Sequence, residues 1–149
     1  DPNIRPSFIA DEAAYRARLT RLLGVAHIIK TSDEDLEWIT GGTDAAALFE
    51  TTSARIILLT RGGDGVTVLT PEGSIDVPAQ KATVVDTVGA GDTFNAGLLA
   101  SLHQAGVLTK AAIAGLDQDT IRAALAMGAK TAAITVSRAG ANPPWASEL

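Results

Sequence analysis

The length, composition and charge of the chain exclude several classes of protein. It has 149 residues, of which 46% are hydrophobic and 19% charged, so it can build a core and is not a disordered chain. The lack of cysteine excludes disulfides and thiolate metal sites. The net charge is −5, no Lys/Arg cluster could follow a phosphate backbone, and no apolar run reaches the ~18 residues that span a bilayer. We therefore expect no nucleic-acid or membrane partner, and a cytoplasmic location.

Helical and strand patterns alternate along the chain. Helices are predicted at 10–24, from 32 onward, at 44–51, 92–105 and 119–135, and strands at 25–30, 55–60, 66–70, 74–77 and 84–85. This order predicts an α/β layered fold with helices on both faces of a mostly parallel central sheet. Ligands of such sheets bind beyond the carboxyl ends of the strands. Both glycine-rich turns of the chain are expected at such ends.

The second glycine-rich turn, residues 86–91, is the most informative segment. It is predicted to follow a strand and to open a helix at Asp92. Gly89, Ala90 and Gly91 carry almost no side chain, so their backbone amides can approach a ligand closely. The first helical turn adds further N–H groups without partners and the positive end of the helix dipole. The segment therefore predicts an anion site that needs no Lys or Arg.

Asp92 is the unexpected residue in this anion site. A carboxylate there would repel a phosphate unless it accepts a proton from an attacking hydroxyl, a role typically worth a factor of about 10²–10⁴ in rate. The alternative is that Asp92 is an ordinary helix cap after a glycine, and for Gly-x-Gly-Asp alone this alternative is favoured. A Rossmann fingerprint would need Gly at Phe94, and a Walker A loop would need Lys-Ser/Thr after its last glycine, so neither is present.

The twelve residues from Asp86 to Gly97, DTVGAGDTFNAG, resemble the carboxy-terminal signature of the PfkB carbohydrate kinases, whose fold is ribokinase-like with αβα layers. The resemblance implies that Asp92 is the catalytic base and that the amides from Gly89 to Asp92 form the anion hole. It also implies a monovalent-cation site, occupied by K⁺ in some members. The residues that would supply this site are Asp86, the Val88 carbonyl and the tail carbonyls of Thr135, Arg138 and Gly140.

The first glycine-rich turn, Arg61 to Gly65, resembles, together with the preceding Thr60, the Thr-x-Gly-x-x-Gly nucleotide loop of the same family. Taken alone, this turn is better explained as a tight hairpin entry, but the presence of both turns in this order favours the nucleotide loop. The last helix is implied to close over the adenine near Ala129. The residues implied to bind ATP are Thr60, Gly62, Gly63, Asp64, Gly65, Gly91, Ala129 and Ser32.

Two further short motifs match the family less closely. Ser32 and Asp35 occupy the positions of an Asn-x-x-Glu element that orders water around Mg²⁺, but they also fit a helix capping box. Because both residues differ from the commoner pattern, only a water-mediated Mg²⁺ role is assigned to Asp35. Asn3 and Arg5 resemble an Asp-x-Asn-x-Arg stretch that faces the acceptor and the transferring phosphate. The alternative there is a proline-stiffened loop with an exposed Arg.

The resemblance implies ATP-dependent phosphorylation of a sugar hydroxyl, with fructose as the preferred acceptor. Ketodeoxygluconate, ribose or a nucleoside are alternative acceptors, and a nucleotide-binding module without catalysis is an alternative of another class. The chain lacks an initiator Met, and residues 1–149 match only the carboxy-terminal half of family members. We therefore expect the half with the sugar site and lid to be missing, weak or no activity from residues 1–149 alone, and a homodimer as an option for the full-length protein.

Overall fold

The computed structural model describes all residues from 1 to 149, which form two units, Asp1–Pro78 and Ala79–Leu149. The first unit contains three helices and four strands. They are α1 (Glu12–Leu23), β1 (Ile28–Ser32), α2 (Asp33–Thr40), α3 (Leu48–Thr51), β2 (Ile56–Thr60), β3 (Val66–Thr70) and β4 (Gly73–Val77), with 3₁₀ turns at Pro6–Phe8, Ala45–Ala47 and Gly62–Asp64. The predicted helix at 44–51 is therefore a 3₁₀ turn followed by one α-helical turn.

The four strands form one sheet in the order β1-β2-β3-β4. Strands β1 and β2 are parallel, whereas β2–β3 and β3–β4 are antiparallel. The α/β class is confirmed, but in these residues the mostly parallel character is limited to β1–β2. The physical reason is the length of the connections: the turns after β2 and β3 are too short for the crossover that a parallel return needs.

The core of this unit lies between β1–β2 and the helices. Ile29 and Ile57 pack with Leu36 of α2 and Leu48 of α3, and all four side chains are almost completely buried. Leu58, the next residue of β2, is also fully buried, so both faces of this strand are covered, as its continuous apolar sequence predicts. The chain leaves α2 through Gly41, which adopts the left-handed conformation of a helix C-cap.

The second unit is helical. Its elements are α4 (Ala90–Gln104), α5 (Lys110–Ile113) and α6 (Gln118–Val136), followed by a 3₁₀ turn at Ala146–Glu148. Helices α4 and α6 cross at two glycines: a Cβ atom on Gly97 would lie 3.0 Å from the Gly128 Cα, and one on Gly128 would lie 2.9 Å from the Phe94 carbonyl oxygen. The small residues of this region thus allow two backbones to approach closely.

The strand predicted at 84–85 is absent. The Val84 and Val85 side chains are 62% and 60% exposed, and the Val85 N–H donates to the Val136 carbonyl oxygen at the end of α6 (2.7 Å). The β-branched pair suggested a strand, but its backbone pairs with a helix end rather than with a sheet edge. The second glycine-rich turn consequently follows an extended segment without a strand, and α4 begins at Ala90, two residues earlier than predicted. No helix combines the length and the apolar character that crossing a membrane requires.

Candidate functional site

The second glycine-rich turn enters α4 through a left-handed residue. Gly89 is the N-cap of the helix and has φ +78°. A Cβ atom at this position would lie 3.0 Å from the Ala141 Cβ, so the turn also packs closely against the tail of the chain. Both the backbone conformation and the space therefore require glycine here.

The N–H groups that follow Gly89 differ in whether they donate to a backbone acceptor. The Ala90 N–H donates to the Thr87 carbonyl oxygen (3.2 Å) and thus closes the turn. The N–H groups of Gly91 and Asp92 donate to no acceptor of the backbone, as is usual in the first turn of a helix. Gly91 and Asp92 are exposed, so these two amides are available to a ligand. Of the four amides predicted for the anion hole, that of Ala90 is engaged, those of Gly91 and Asp92 are open, and the Gly89 N–H likewise donates to no backbone acceptor.

The Asp92 side chain lies in the first turn of α4 and is exposed to solvent. Its carboxylate takes part in no hydrogen bond and no ion pair, unlike the capping aspartates Asp11 and Asp117, which accept from N–H groups of their own helices. The cap of α4 is Gly89. The alternative of an ordinary capping aspartate therefore lacks its defining hydrogen bond at Asp92.

A ladder of buried threonines lies behind the turn. The Thr93 hydroxyl donates to the carbonyl oxygens of Gly89 (2.9 Å) and Ala90 (3.1 Å). The Thr131 hydroxyl of α6 in turn donates to the Thr93 carbonyl oxygen (2.8 Å), and the Thr135 hydroxyl donates to the Thr131 carbonyl oxygen (2.9 Å). These hydroxyls connect the backbone of the turn to α6, a role that the sequence patterns did not reveal because threonine is common in helices.

The Asp86 side chain links the start of the second glycine-rich turn to the tail of the chain after α6. Its carboxylate accepts from the Val88 N–H (3.0 Å) and from the Gly140 N–H (2.9 Å), 54 residues further along the chain. The Val88 amide, then that of Gly140, hold the pKa of Asp86 below its usual value because both hydrogen bonds favour the charged form. Three residues of the predicted cation site therefore lie together.

Two of the carbonyl oxygens predicted to bind the cation have partners of their own. The Thr135 carbonyl oxygen accepts from the Arg138 N–H (3.1 Å), and the Gly140 carbonyl oxygen accepts from the Asn142 N–H (2.8 Å). The Arg138 side chain pairs with Glu148, a contact that does not involve the Arg138 carbonyl oxygen. A carbonyl has two lone pairs, so the Thr135 oxygen keeps capacity for a cation.

Ala129 is half-buried in α6. Its predicted contact with adenine stays a prediction.

The first glycine-rich turn follows β2, at the carboxyl end of the strand. Gly62 has φ +52° and Gly65 has φ +97°, and the Arg61 N–H closes the loop on the Gly65 carbonyl oxygen (2.9 Å). The Gly62 and Gly63 N–H groups donate to no backbone acceptor, and residues 61–64 are exposed. This loop thus presents open amides in the same way as the second turn.

Ser32 and Thr60 meet at the carboxyl edge of β1–β2. They are paired residues in the parallel register, and the Thr60 hydroxyl donates to the Thr31 carbonyl oxygen (3.3 Å). The Ser32 hydroxyl accepts from the Asp35 N–H (3.0 Å), which confirms the cap of α2. The placement at a strand edge is the one that the sequence predicted.

Asp35 does not complete the capping box. Its Oδ1 accepts instead from the Ile4 N–H (2.9 Å), and the side chain is buried. This bond places the predicted acceptor-facing segment, with Asn3 and Arg5 exposed on either side of buried Ile4, against the start of α2. Asn3 has φ +45° and is the only non-glycine residue with positive φ.

Lys30 is a functional candidate that sequence reasoning missed. Its ammonium nitrogen lies 2.7 Å from the Asp1 Oδ2, in the same region as Asn3 and Asp35. A lysine within the apolar segment 25–30 was the signal that could have revealed it, because a buried lysine needs a partner.

No three His, Cys, Asp or Glu side chains come together in a way that could hold a metal ion. In proteins, Mg²⁺ commonly binds through one or two carboxylates together with phosphate oxygens and water. The Asp35 carboxylate already has one oxygen engaged by Ile4. Its water-mediated role stays a prediction.

Both glycine turns present open N–H groups of the kind that bind phosphate groups in proteins, and an aspartate without a partner follows one of them. The sequence matches the pfkB family of carbohydrate kinases over residues 1–148, and the chain belongs to this family. A curated fructokinase of Rhizobium leguminosarum bv. trifolii is 46% identical over 125 residues, which are 82% of this chain and 38% of that protein.

Solved structures of related kinases share the fold. The fructokinase of Xylella fastidiosa with bound ATP has a TM-score of 0.83 at 29% identity, covering 93% of this chain and 45% of that one. A fructokinase double mutant of Vibrio cholerae O395, in a form with fructose, ADP and potassium ion bound, has a TM-score of 0.76 at 27% identity, covering 95% and 44%. The chain thus has a partial ribokinase-like fold and spans less than half the length of these relatives.

Proposed function

We propose that the protein containing this chain is an ATP-dependent sugar kinase with fructose as its preferred acceptor. The observation that carries the proposal is Asp92: an exposed carboxylate without a partner, directly beside the open N–H groups of Gly91 and Asp92. A pure nucleotide-binding module gains nothing from a negative charge at an anion site. A kinase needs it to take the proton of the acceptor.

The chemical step follows from this arrangement. The acceptor hydroxyl gives its proton to Asp92 as its oxygen bonds to the γ-phosphorus of ATP, and the bond between that phosphorus and the β–γ bridging oxygen breaks, which releases ADP. The Gly91 and Asp92 amides stabilise the charge on the transferring phosphoryl group. The Ala90 amide holds the turn closed rather than facing the phosphate.

We assign the nucleotide to the loop from Thr60 to Gly65, in which the open Gly62 and Gly63 amides can donate to phosphate oxygens. Ser32, at the same strand edge as Thr60, and Ala129 of α6 are assigned to ATP by family resemblance. The Xylella fastidiosa relative binds ATP, which supports this assignment. Mg²⁺ lowers the negative charge of the phosphates when it is bound to them.

A monovalent cation near Asp86 is part of the proposal. The Asp86 carboxylate and the backbone at Val88 and Gly140 are already held together by two hydrogen bonds, and the chain is similar to a kinase structure that contains a potassium ion. K⁺ bound there would stabilise the loop that carries Gly89. The Thr135 and Arg138 carbonyls are the remaining assigned ligands.

The full-length natural protein tests the proposal. It is incubated with ATP, Mg²⁺ and fructose, ribose, ketodeoxygluconate or adenosine in turn, and ADP release is measured. We expect the highest kcat/KM for fructose. A higher kcat/KM for another acceptor would show that fructose is not the preferred substrate but would still support a kinase. ATP binding without turnover on any acceptor would favour the non-catalytic module.

A further inference from the structure

The segment Asp1–Arg5 is held at two points, one on each side of Asn3, by β1 and by the start of α2. Before Asn3, the Lys30 ammonium nitrogen of β1 lies 2.7 Å from the Asp1 Oδ2. After Asn3, the Asp35 Oδ1 at the start of α2 accepts from the Ile4 N–H at 2.9 Å. The two contacts are made by neighbouring elements, since β1 runs directly into α2.

Both anchoring side chains are buried, although both carry charge. Lys30 is 8% exposed and Asp35 is 7% exposed, while Ile4 inserts its side chain into the interior and is 5% exposed. Buried charges cost free energy unless they are paired and hydrogen-bonded, and apolar residues in their place are often as stable or more so. Fold stability alone is therefore a weak reason for a lysine in an apolar strand. A requirement for one geometry of the segment is a better one.

The residue between the two anchors has a strained backbone. Asn3 adopts φ +45°, in the left-handed region that non-glycine residues rarely enter, and asparagine tolerates it better than most. Such conformations persist where the surroundings over-determine them, and they cluster at functional sites. The Asn3 side chain is not consumed by the fold, because the residue is exposed.

We propose that Lys30 and Asp35 are positioning residues that hold Asn3 in its left-handed conformation and so present its amide to the acceptor sugar. The proposal deepens the proposed function and rests on it. It also gives Asp35 a role through its hydrogen bond to the Ile4 N–H rather than through water on Mg²⁺. Positioning by two fixed points lowers the entropy that Asn3 would otherwise lose when the sugar binds.

The first test uses Lys30→Met in the full-length natural protein. Methionine keeps the length of the side chain in β1, and the Asp1 carboxylate, which is partly exposed, can be solvated. We expect the kcat/KM for the sugar to fall about tenfold and the KM for ATP to stay within about twofold, because one anchor of a left-handed residue is lost. The matched control is Lys110→Met, which removes an exposed lysine at the start of α5 and is expected to leave both values unchanged.

A double-mutant cycle separates positioning from general damage. Glycine enters the left-handed region freely but has no amide, so Asn3→Gly removes the side chain that Lys30 is proposed to position. We expect Lys30→Met to have less than about a twofold further effect in the Asn3→Gly background. An undiminished effect in that background, or an equal loss of ATP affinity, would overturn the proposal.

Variants of Asp35 give a second test, which does not depend on whether the Lys30→Met variant folds. Asp35→Asn keeps an oxygen that accepts from the Ile4 N–H but loses the charge, whereas Asp35→Ala loses both. Positioning predicts near-normal sugar kinetics for Asp35→Asn and a loss of about tenfold for Asp35→Ala. Equal losses in both variants would show that the charge matters and would refute the positioning role.

Hydrogen exchange at the Ile4 amide distinguishes this inference from the proposed function. If the anchors act jointly, Lys30→Met speeds exchange at Ile4 whether or not any sugar is phosphorylated. Unchanged exchange together with unchanged sugar kinetics would overturn the anchoring itself. If the wild-type protein phosphorylates no sugar, the proposed kinase function and the presentation of Asn3 to a sugar are both refuted. Faster Ile4 exchange in Lys30→Met would then still show that Lys30 helps to hold the segment Asp1–Arg5.

Discussion

The Thr131 hydroxyl on α6 donates a buried hydrogen bond of 2.8 Å to the Thr93 carbonyl oxygen in the first turn of α4. Thr93 in turn holds the carbonyl oxygen of Gly89 through its own hydroxyl. The backbone of the second glycine-rich turn is thereby fixed on one side by the neighbouring helix, while Gly91 and Asp92 stay exposed to solvent. This arrangement fits a pre-organised anion site, whose donors need no rearrangement during the reaction.

Removing a hydroxyl from this ladder should loosen the turn. Thr93→Val keeps the shape but loses the bonds to Gly89 and Ala90, so we expect a loss of about 1–2 kcal/mol in the free energy of unfolding. We also expect a lower kcat for the full-length protein. Urea unfolding and steady-state kinetics measure the two effects. Thr93→Ser retains the hydroxyl and should keep most of the kcat; if both variants lose kcat equally, the hydroxyl does not position the turn.

The crossing of α4 and α6 should not tolerate a methyl group at Gly97. A Cβ atom there would lie 2.5 Å from the Thr131 Oγ1 and 2.9 Å from the Met127 carbonyl oxygen. We expect Gly97→Ala to destabilise the protein by about 1–3 kcal/mol through overpacking, although alanine is the better helix former. Gly115→Ala is the matched control, because nothing lies within 4 Å of its Cβ, and its urea midpoint should stay near that of wild type. An unchanged midpoint for Gly97→Ala would contradict the close crossing.

Gly89→Ala tests the left-handed entry to α4. Alanine at φ +78° costs about 1–2 kcal/mol, and its methyl group would press on Ala141. We expect a lower urea midpoint and a weakened turnover in the full-length protein, because the open amides at Gly91 and Asp92 shift with the turn. Turnover at the wild-type level would show that this geometry is not needed for the reaction.

Asp86 should make stability depend on pH. Its pKa is lowered in the folded state by the Val88 N–H and then the Gly140 N–H, relative to about 3.9 in the unfolded chain. A lowered folded pKa gives stability that is complete above the unfolded value and is lost as the pH falls through the folded value. We therefore expect the difference in urea midpoint between wild type and Asp86→Asn to be constant from pH 7 to about 5 and to shrink below about 4.

The difference between wild type and Asp86→Asn isolates this effect of Asp86. The pKa of Asp117 is lowered by the Thr120 backbone N–H and that of Glu148 by the Arg138 side chain, but both groups are present in wild type and variant and cancel in the difference. A pH-independent difference for Asp86→Asn would contradict the role of the two amides.

Local patterns predicted most of the elements, because their signals are local. The apolar run of β2, the hairpin of β3 and β4, and the Ser32 cap of α2 are all where the sequence placed them. The strand at Val84-Val85 was wrong because strand formation depends on a partner edge, and the partner here is the end of α6. Propensity cannot report what a backbone will pair with.

The site was predicted unevenly for the same reason. Gly89 and Asp92 were recognisable because they lie in the segment from Asp86 to Gly97, which resembles a family signature over twelve positions, whereas Gly-x-Gly-Asp alone favours an ordinary helix cap. Lys30 contacts Asp1 and Thr131 contacts Thr93, and these partners lie 29 and 38 residues away in sequence, which no local spacing reveals. The asymmetry within the turn, where Ala90 is engaged and Gly91 is open, also depends on the folded backbone.

The central claim is that Asp92 removes the proton of the acceptor hydroxyl. The most direct test is Asp92→Asn in the full-length protein, with ATP affinity measured by calorimetry and turnover measured on fructose. Asparagine keeps the shape but cannot act as a base, so we expect kcat to fall by a factor of about 10²–10⁴ with nucleotide affinity almost unchanged. Turnover within a few-fold of wild type would contradict the base assignment and the mechanism proposed for the chain.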